Sequence, residues 1–198
     1  MRNQPNLIIT GTPGVGKTTH CEILAQSTGL KHLSINDIIK ERGCSDGFDE
    51  EFKSLIVDED KLLDAIEDEV KQGGYIIDWH ACDLFPKSWI DLVVVLRVYS
   101  TLLYDRLKAR FASFASCTFR YGIAIGADNS CRDYPEVKLQ ANLDSEIMEV
   151  LLQEARDSYD EEIVVELTSN TSDEMESNIE RLEVWVKRWR EDHGGSMQ

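Results

Sequence analysis

Leu7-Ile8-Ile9-Thr10-Gly11-Thr12-Pro13-Gly14-Val15-Gly16-Lys17-Thr18-Thr19 is the stretch from which the fold follows. A short apolar run leads into a G-x-x-x-x-G-K-[ST] loop, and a helical pattern opens directly after it, which is the strand–loop–helix context the motif requires. Glycines let the backbone curl so that several N–H groups point at one phosphate, and the positive end of the following helix is aimed at the same place. The pattern implies a cradle for the phosphates of a nucleoside triphosphate. In such a cradle Lys17 bridges the β- and γ-phosphates, and the Thr18 hydroxyl ligates Mg²⁺.

Outward from this loop, β-branched runs alternate with helical patterns. Asn6–Thr10, Lys31–Ile35, Tyr75–Asp78, Leu92–Leu96 and Ile163–Leu167 read as strands, and the alternation implies a parallel sheet covered by helices on both faces. Leu92-Val-Val-Val-Leu96 has no polar alternation, as a strand buried on both sides requires. Lys61–Gln72 places Leu62, Leu63, Ile66 and Val70 at helical spacing and ends at Gly73-Gly74. Thr171-Ser-Asp-Glu174 reads as a capping box for a last helix, with Met175, Ile179, Leu182, Val186 and Trp189 on one face. Trp185 and Trp189 read as core or rim packing.

With 198 residues the chain has the size of one domain with small appendages. The 21 Lys and Arg against 37 Asp and Glu give a net charge of −16, which excludes a surface that attracts nucleic acid by charge alone. Any RNA-linked role is expected to run through a protein partner. Neither a membrane-spanning run nor room for a signal peptide before the first strand is apparent, so an intracellular protein is expected. Five cysteines without C-x-x-C spacing point to reduced thiols rather than a disulfide framework or a zinc site.

Two further groups of residues carry chemistry. Tyr75-Ile-Ile-Asp78-Trp79-His80 is an apolar strand finishing in an acid, and a carboxylate there supports the Mg²⁺ shell, usually through water. His80, two residues on, projects to the same side as Asp78 if the strand continues. It then either orients a water or accepts a proton near the γ-phosphate, or it is a satisfied structural histidine. Arg106 and Arg110 lie four residues apart, on one face of a helix that follows the fourth strand. They form either a lid base that meets phosphoryl oxygens or a pair of solvated helix charges.

Gly11–Thr19, Asp46-Gly-Phe-Asp-Glu-Glu51, Val57-Asp-Glu-Asp60, Ile77-Asp-Trp-His80, Asp83-Leu-Phe-Pro86, Asp91-Leu-Val-Val-Val-Leu-Arg97, Leu103-Tyr-Asp-Arg-Leu107, Asn142-Leu-Asp-Ser-Glu-Ile147 and Ser158-Tyr-Asp-Glu-Glu-Ile163 together resemble the adenylate kinase isoenzyme 6 family. The resemblance spans about nine tenths of the chain. It implies an α/β P-loop NTPase fold of the nucleoside monophosphate kinase type, with a five-stranded parallel sheet flanked by helices. It divides the chain into a P-loop kinase domain at 1–193, with an AMP-binding insert at about 34–57 and a lid at about 108–135, and a disordered tail at 194–198. It also implies transfer of the ATP γ-phosphoryl to AMP with Mg²⁺, intrinsic ATPase activity, and action as a monomer in the nucleus and cytoplasm. Matching positions make Gly14, Gly16, Lys17, Thr18 and Thr19 the holders of the ATP phosphates. They make Asp78 and His80 the magnesium-associated and water-orienting strand end, and Arg110 an ATP contact from the lid. The implied partner is the small-subunit ribosomal protein uS11 in the pre-40S particle, and the implied cellular role is 40S biogenesis and late small-subunit rRNA maturation.

Two departures from the family pattern stand out. Phe111–Arg132 are 22 residues without a family counterpart, containing no Lys, Glu or Pro. They read as a translated intron, since codon degeneracy permits a GT donor at Arg110-Phe111, a branch sequence within Ala127–Asn129 and an AG acceptor at Arg132. The second departure concerns AMP. Asp37, Lys40 and Arg42 lie where the monophosphate insert begins, but the Thr-Gly-Asp-x-Leu-Arg pattern of ordinary adenylate kinases is absent. Two rival functions remain open: a shikimate-type small-metabolite kinase, and a nucleotide-gated module that binds a ribosomal protein and whose kinase activity is incidental. The lack of an N-K-x-D motif disfavours a G protein.

Overall fold

The structure is a computed structural model that describes residues 2–51, 54–109 and 136–194. Five strands form a parallel sheet in the order β2-β5-β1-β6-β7. They are β1 (Leu7–Thr10), β2 (Lys31–Ser34), β5 (Tyr75–Asp78), β6 (Leu92–Arg97) and β7 (Val164–Thr168). β1 is central, its Leu7, Ile8 and Ile9 paired with Ile76, Ile77 and Asp78 on one side and with Leu92, Val93 and Val94 on the other. Central strands covered on both faces need no polar alternation, and every residue of β1 and β5 is buried.

The period of two sorts neighbouring strand residues onto opposite faces. Ile8, Ile77 and Val93 pack into one core with Leu62, Ile66 and Val70 of α3 (Glu59–Gln72) and Leu152 and Ala155 of α6 (Val150–Ser158). Leu7, Ile9, Ile76 and Val94 pack into the other with Cys21 and Leu24 of α1 (Lys17–Thr28), and Leu103 and Leu107 of the helix at 100–109, here α4. Ile179, Leu182 and Val186 of α7 (Ser172–Gly194) complete this second core. Burying each such side chain contributes about 1.5–3 kcal/mol.

The sheet expected from the sequence is present, with small shifts at its edges. Asn6 was expected in the first strand but serves as a bracket beneath it. Its backbone N–H donates to Asp91 at 2.8 Å, its amide donates to the carbonyls of Val70 and Trp89, and its side-chain oxygen accepts from Tyr75 N–H. A group this fully engaged by side-chain chemistry has no place in the ladder. α3 begins two residues before the expected Lys61, because Asp58 caps it by accepting from Lys61 N–H at 3.1 Å. The capping box of α7 is displaced by one residue on its return arm. Thr171 accepts from Glu174 N–H at 3.2 Å, but Glu174 accepts from the N–H of Asn170 at 2.6 Å rather than from Thr171. α7 extends to Gly194, the first residue of the expected tail.

Between β2 and α3 the chain forms α2 (Ile35–Arg42) and an antiparallel hairpin of β3 (Ser45–Asp49) and β4 (Ser54–Val57). This is the stretch read as the monophosphate insert, and its hairpin escaped the strand reading because Ser45-Asp-Gly-Phe-Asp49 lacks a β-branched run. Arg42 ties α2 to α3, donating to the Ala65 carbonyl and pairing with Glu69 at 2.5 Å. Several motifs of the family resemblance prove architectural. The buried Tyr159 hydroxyl donates to the carbonyls of Cys82 and Phe85 at 2.7 and 2.9 Å, holding the Asp83-Leu-Phe-Pro86 turn against the end of α6. No helix among the described residues is long and apolar enough to cross a membrane.

Candidate nucleotide site

The loop between β1 and α1 turns through left-handed backbone at Gly11, Gly14 and Gly16, with φ of 140°, 98° and 103°. Gly11 admits no side chain, since a Cβ there would stand 2.5 Å from the Leu96 carbonyl oxygen of the adjacent strand. That close approach lets the loop rise from the centre of the sheet without leaving its neighbour. Lys17 reaches back across the loop and donates to the carbonyls of Gly11 at 2.7 Å and Thr12 at 3.2 Å. Thr18 and Thr19 are exposed in the first turn of α1, where helix N–H groups have no intrahelical acceptor.

Beside this turn, β5 ends at Asp78, which is 5 % exposed. Its carboxylate accepts from the Thr18 hydroxyl at 2.7 Å, and His32 Nε2 of β2 lies 3.4 Å from the same oxygen. Burial opposes ionisation of Asp78. The His32 imidazole, the Thr18 hydroxyl and the Lys17 charge outweigh it and hold the carboxyl below its usual range. The acid expected at the strand end is therefore ionised and joined to the threonine expected to ligate magnesium.

His80 is placed differently from the expectation. The strand stops at Asp78, and His80 falls in a bend beyond it, so strand alternation does not set its direction. Its carbonyl accepts from the Thr10 hydroxyl at 2.6 Å, and its ring lies 4.2 Å from that of Trp79 at 49°. The side chain is exposed, yet the protein atoms around it disfavour the charged form, and this desolvation, then the Lys17 and Lys138 charges, push its pKa down to about 4. At neutral pH the ring is uncharged and can accept a proton.

Glu146, Arg97 and His20 had no role assigned from sequence. Glu146 of α5 (Glu136–Ile147), 3 % exposed, accepts from the Thr12 hydroxyl at 2.5 Å, from Arg97 Nε at 2.8 Å and from Val98 N–H at 3.1 Å. Arg97 also donates to the Glu146 carbonyl and pairs with Glu149 and Glu166. A buried carboxylate thus ties the phosphate loop to the end of β6 and to α5. Both residues lie within family-resembling stretches, which was the available signal. His20, buried one turn into α1, directs Nδ1 to the Gly16 carbonyl at 2.9 Å, and burial lowers its pKa. Arg106 donates to the carbonyls of Ser169 and Asn170 at 2.9 and 3.0 Å. It clamps the β7–α7 loop, so it is not a freely solvated helix charge. Arg110 and residues 111–132 lie outside the described residues.

The structure thus brings Gly14, Gly16, Lys17, Thr18, Thr19, Asp78 and His80 to one edge of the sheet, at the carboxyl ends of β1 and β5. That is where open α/β sheets bind ligands. A loop of this geometry on a five-stranded parallel sheet flanked by helices defines the P-loop kinase fold. Comparisons agree. A family model described as an AAA domain matches residues 7–113. Shikimate kinase from Acinetobacter baumannii in complex with shikimate superposes with a TM-score of 0.55 at 16 % identity, covering 93 % of this chain and 94 % of that one. The shikimate kinase from Bacteroides thetaiotaomicron gives 0.51 at 14 %, covering 93 % and 99 %. Such distant likeness speaks for the fold alone. Sequence relatives are far nearer. "Adenylate kinase isoenzyme 6 homolog HBR1" of Candida albicans is 46 % identical, over 97 % of this chain and 73 % of the relative. The Schizosaccharomyces pombe "Adenylate kinase isoenzyme 6 homolog" is 44 % identical, over 97 % of both. "Adenylate kinase isoenzyme 6 homolog FAP7" of Saccharomyces cerevisiae is 45 % identical, over 97 % and 87 %. The chain belongs to the adenylate kinase isoenzyme 6 family.

Proposed function

We propose that this protein transfers the γ-phosphoryl group of ATP to AMP, hydrolyses ATP in the absence of an acceptor, and does so with Mg²⁺. The observation that carries this reading is the 2.7 Å hydrogen bond from Thr18 to an ionised Asp78, beside a lysine that spans the phosphate loop. Both groups offer hard oxygen ligands, which suit Mg²⁺. Bound magnesium supplies charge neutralisation at the phosphate oxygens. Lys17 adds an ammonium group, and the loop N–H groups and the α1 terminus add fixed dipoles that need no reorganisation during transfer. Neutral His80 orients a water or accepts its proton in the hydrolytic reaction.

The cellular part of the proposal rests on the family resemblance: a factor in 40S biogenesis and late rRNA maturation, in nucleus and cytoplasm, that engages uS11. The net charge of −16 favours a basic partner of that kind.

Both parts are tested by measuring ADP formation from ATP with AMP, CMP, dAMP, shikimate or no acceptor, alongside uS11 binding in each nucleotide state. AMP-stimulated, magnesium-dependent ADP formation is the expected result. Equal turnover with and without AMP overturns the kinase part. Nucleotide-independent failure to bind uS11 overturns the ribosomal part.

A further inference from the structure

Behind the Thr18–Asp78 pair lies a second constellation that phosphoryl transfer does not require. The Sγ of Cys21 in α1, an imidazole nitrogen of His32 in β2 and a carboxylate oxygen of Asp78 in β5 all lie within 4.8 Å of one another. Cys21 is fully buried. His32 Nε2 is shut off from solvent and faces the Asp78 carboxylate at 3.4 Å, without the alignment of a regular hydrogen bond.

We propose that Cys21, His32 and Asp78 form a binding site for a borderline-soft divalent cation of the Zn²⁺ class, and that its occupancy withdraws Asp78 from the phosphate loop. Thiolate, imidazole and carboxylate are the ordinary ligands of zinc, with metal–ligand bonds of about 2.0–2.3 Å and ligand–ligand edges of about 3.3–3.6 Å in a tetrahedron. The His32–Asp78 separation of 3.4 Å already has that length. Closing the site asks only that the cysteine sulfur approach by about 1 Å, within reach of a small side-chain adjustment. A water completes the fourth position. Sulfur excludes Mg²⁺ and Ca²⁺, which take oxygen, so the site distinguishes metals that the nucleotide pocket beside it does not. A cysteine ligates as the thiolate, so binding forms a metal–sulfur bond and expels the thiol proton to solvent, one per ion.

Binding is independent of the kinase reading; only its effect on turnover rests on it. The test adds Co²⁺, then Zn²⁺, to the full-length, nucleotide-free protein. A sulfur-to-cobalt charge-transfer band with intense four-coordinate d–d absorption is expected, displaced by one equivalent of Zn²⁺. The band should vanish in Cys21→Ser, and affinity should fall at least tenfold in His32→Gln, each checked for folding by circular dichroism. Should Cys21→Ser fail to fold, His32→Gln decides alone. Absence of the band in wild type, its persistence in Cys21→Ser, or unchanged affinity in His32→Gln overturns the site. In the kinase assay, zinc inhibition should persist at excess Mg²⁺, and Cys21→Ser should require at least tenfold more zinc than wild type, each protein referred to its own zinc-free rate. Equal sensitivity overturns the coupling to Asp78 while leaving the spectroscopic result standing.

Discussion

Thr12 of the phosphate loop donates its hydroxyl to the carboxylate of Glu146, 134 residues further along the chain, at 2.5 Å. The same carboxylate receives Arg97 Nε and Val98 N–H, so removing it leaves the buried Thr12 hydroxyl and Val98 N–H without their acceptor, while Arg97 keeps Glu149 and Glu166. Leaving buried donors unsatisfied costs about 1–3 kcal/mol. Glu146→Ala is therefore expected to lower the urea-unfolding free energy by about that amount, with Glu146→Gln less affected because it keeps the acceptor for Thr12. Equal stability of the alanine variant and wild type would show that the bridge is dispensable.

Lys17→Met removes the ammonium group that spans the loop and leaves the glycine turns untouched. Loss of a preorganised cationic donor at a phosphoryl-transfer site is expected to cost about 10²–10³-fold in turnover. A coupled assay for ADP checks this, with the thermal midpoint as a control for folding. An unchanged rate would remove the phosphate loop from the chemistry.

Gly11→Ala tests the close approach of loop and sheet. The added methyl meets backbone, the Leu96 oxygen at 2.5 Å, and φ is +140°. Backbone oxygen cannot rotate aside, so a loss of about 3 kcal/mol is expected, read as a fall in denaturant midpoint together with weakened ATP binding.

Acid should destabilise this fold over a defined window. The unfolded chain takes up a proton at a histidine near pH 6.5, whereas folded His80 resists until about 4, and burial lowers His20 as well. With the unfolded state binding more protons, stability is complete above about 6.5 and is lost as pH falls toward 4. Asp78, held below its usual range, adds a loss of the same sign at still lower pH. Urea midpoints at a series of pH values check the slope, which should be shallower in His80→Gln. If neutral His80 serves hydrolysis, the ATPase rate stays flat down through pH 6.

Much of this was legible in the chain. The strands around β1 announce themselves because doubly covered β-structure demands uninterrupted apolar residues, and Leu92–Leu96 and Tyr75–Asp78 supply them. The phosphate loop is legible because its chemistry is local: glycines, lysine and threonine act within nine consecutive residues, Gly11–Thr19. The β3–β4 hairpin went unread, since Ser45-Asp-Gly-Phe-Asp49 offers no β-branched run, although Leu55-Ile56-Val57 of its partner strand does. The direction of His80 was legible only if the strand continued past Asp78, and β5 ends there.

Local residue chemistry thus determined the fold class, the nucleotide cradle and the family to which the chain belongs. Tertiary structure decided which distant groups meet. Glu146 joins Thr12 to Arg97, Arg106 turns to the carbonyls of Ser169 and Asn170, and His32 and Cys21 come together behind Asp78. These partnerships span tens of residues, where chain closure costs entropy and only the packed sheet brings the groups within reach. Nothing in the spacing of the residues encodes them.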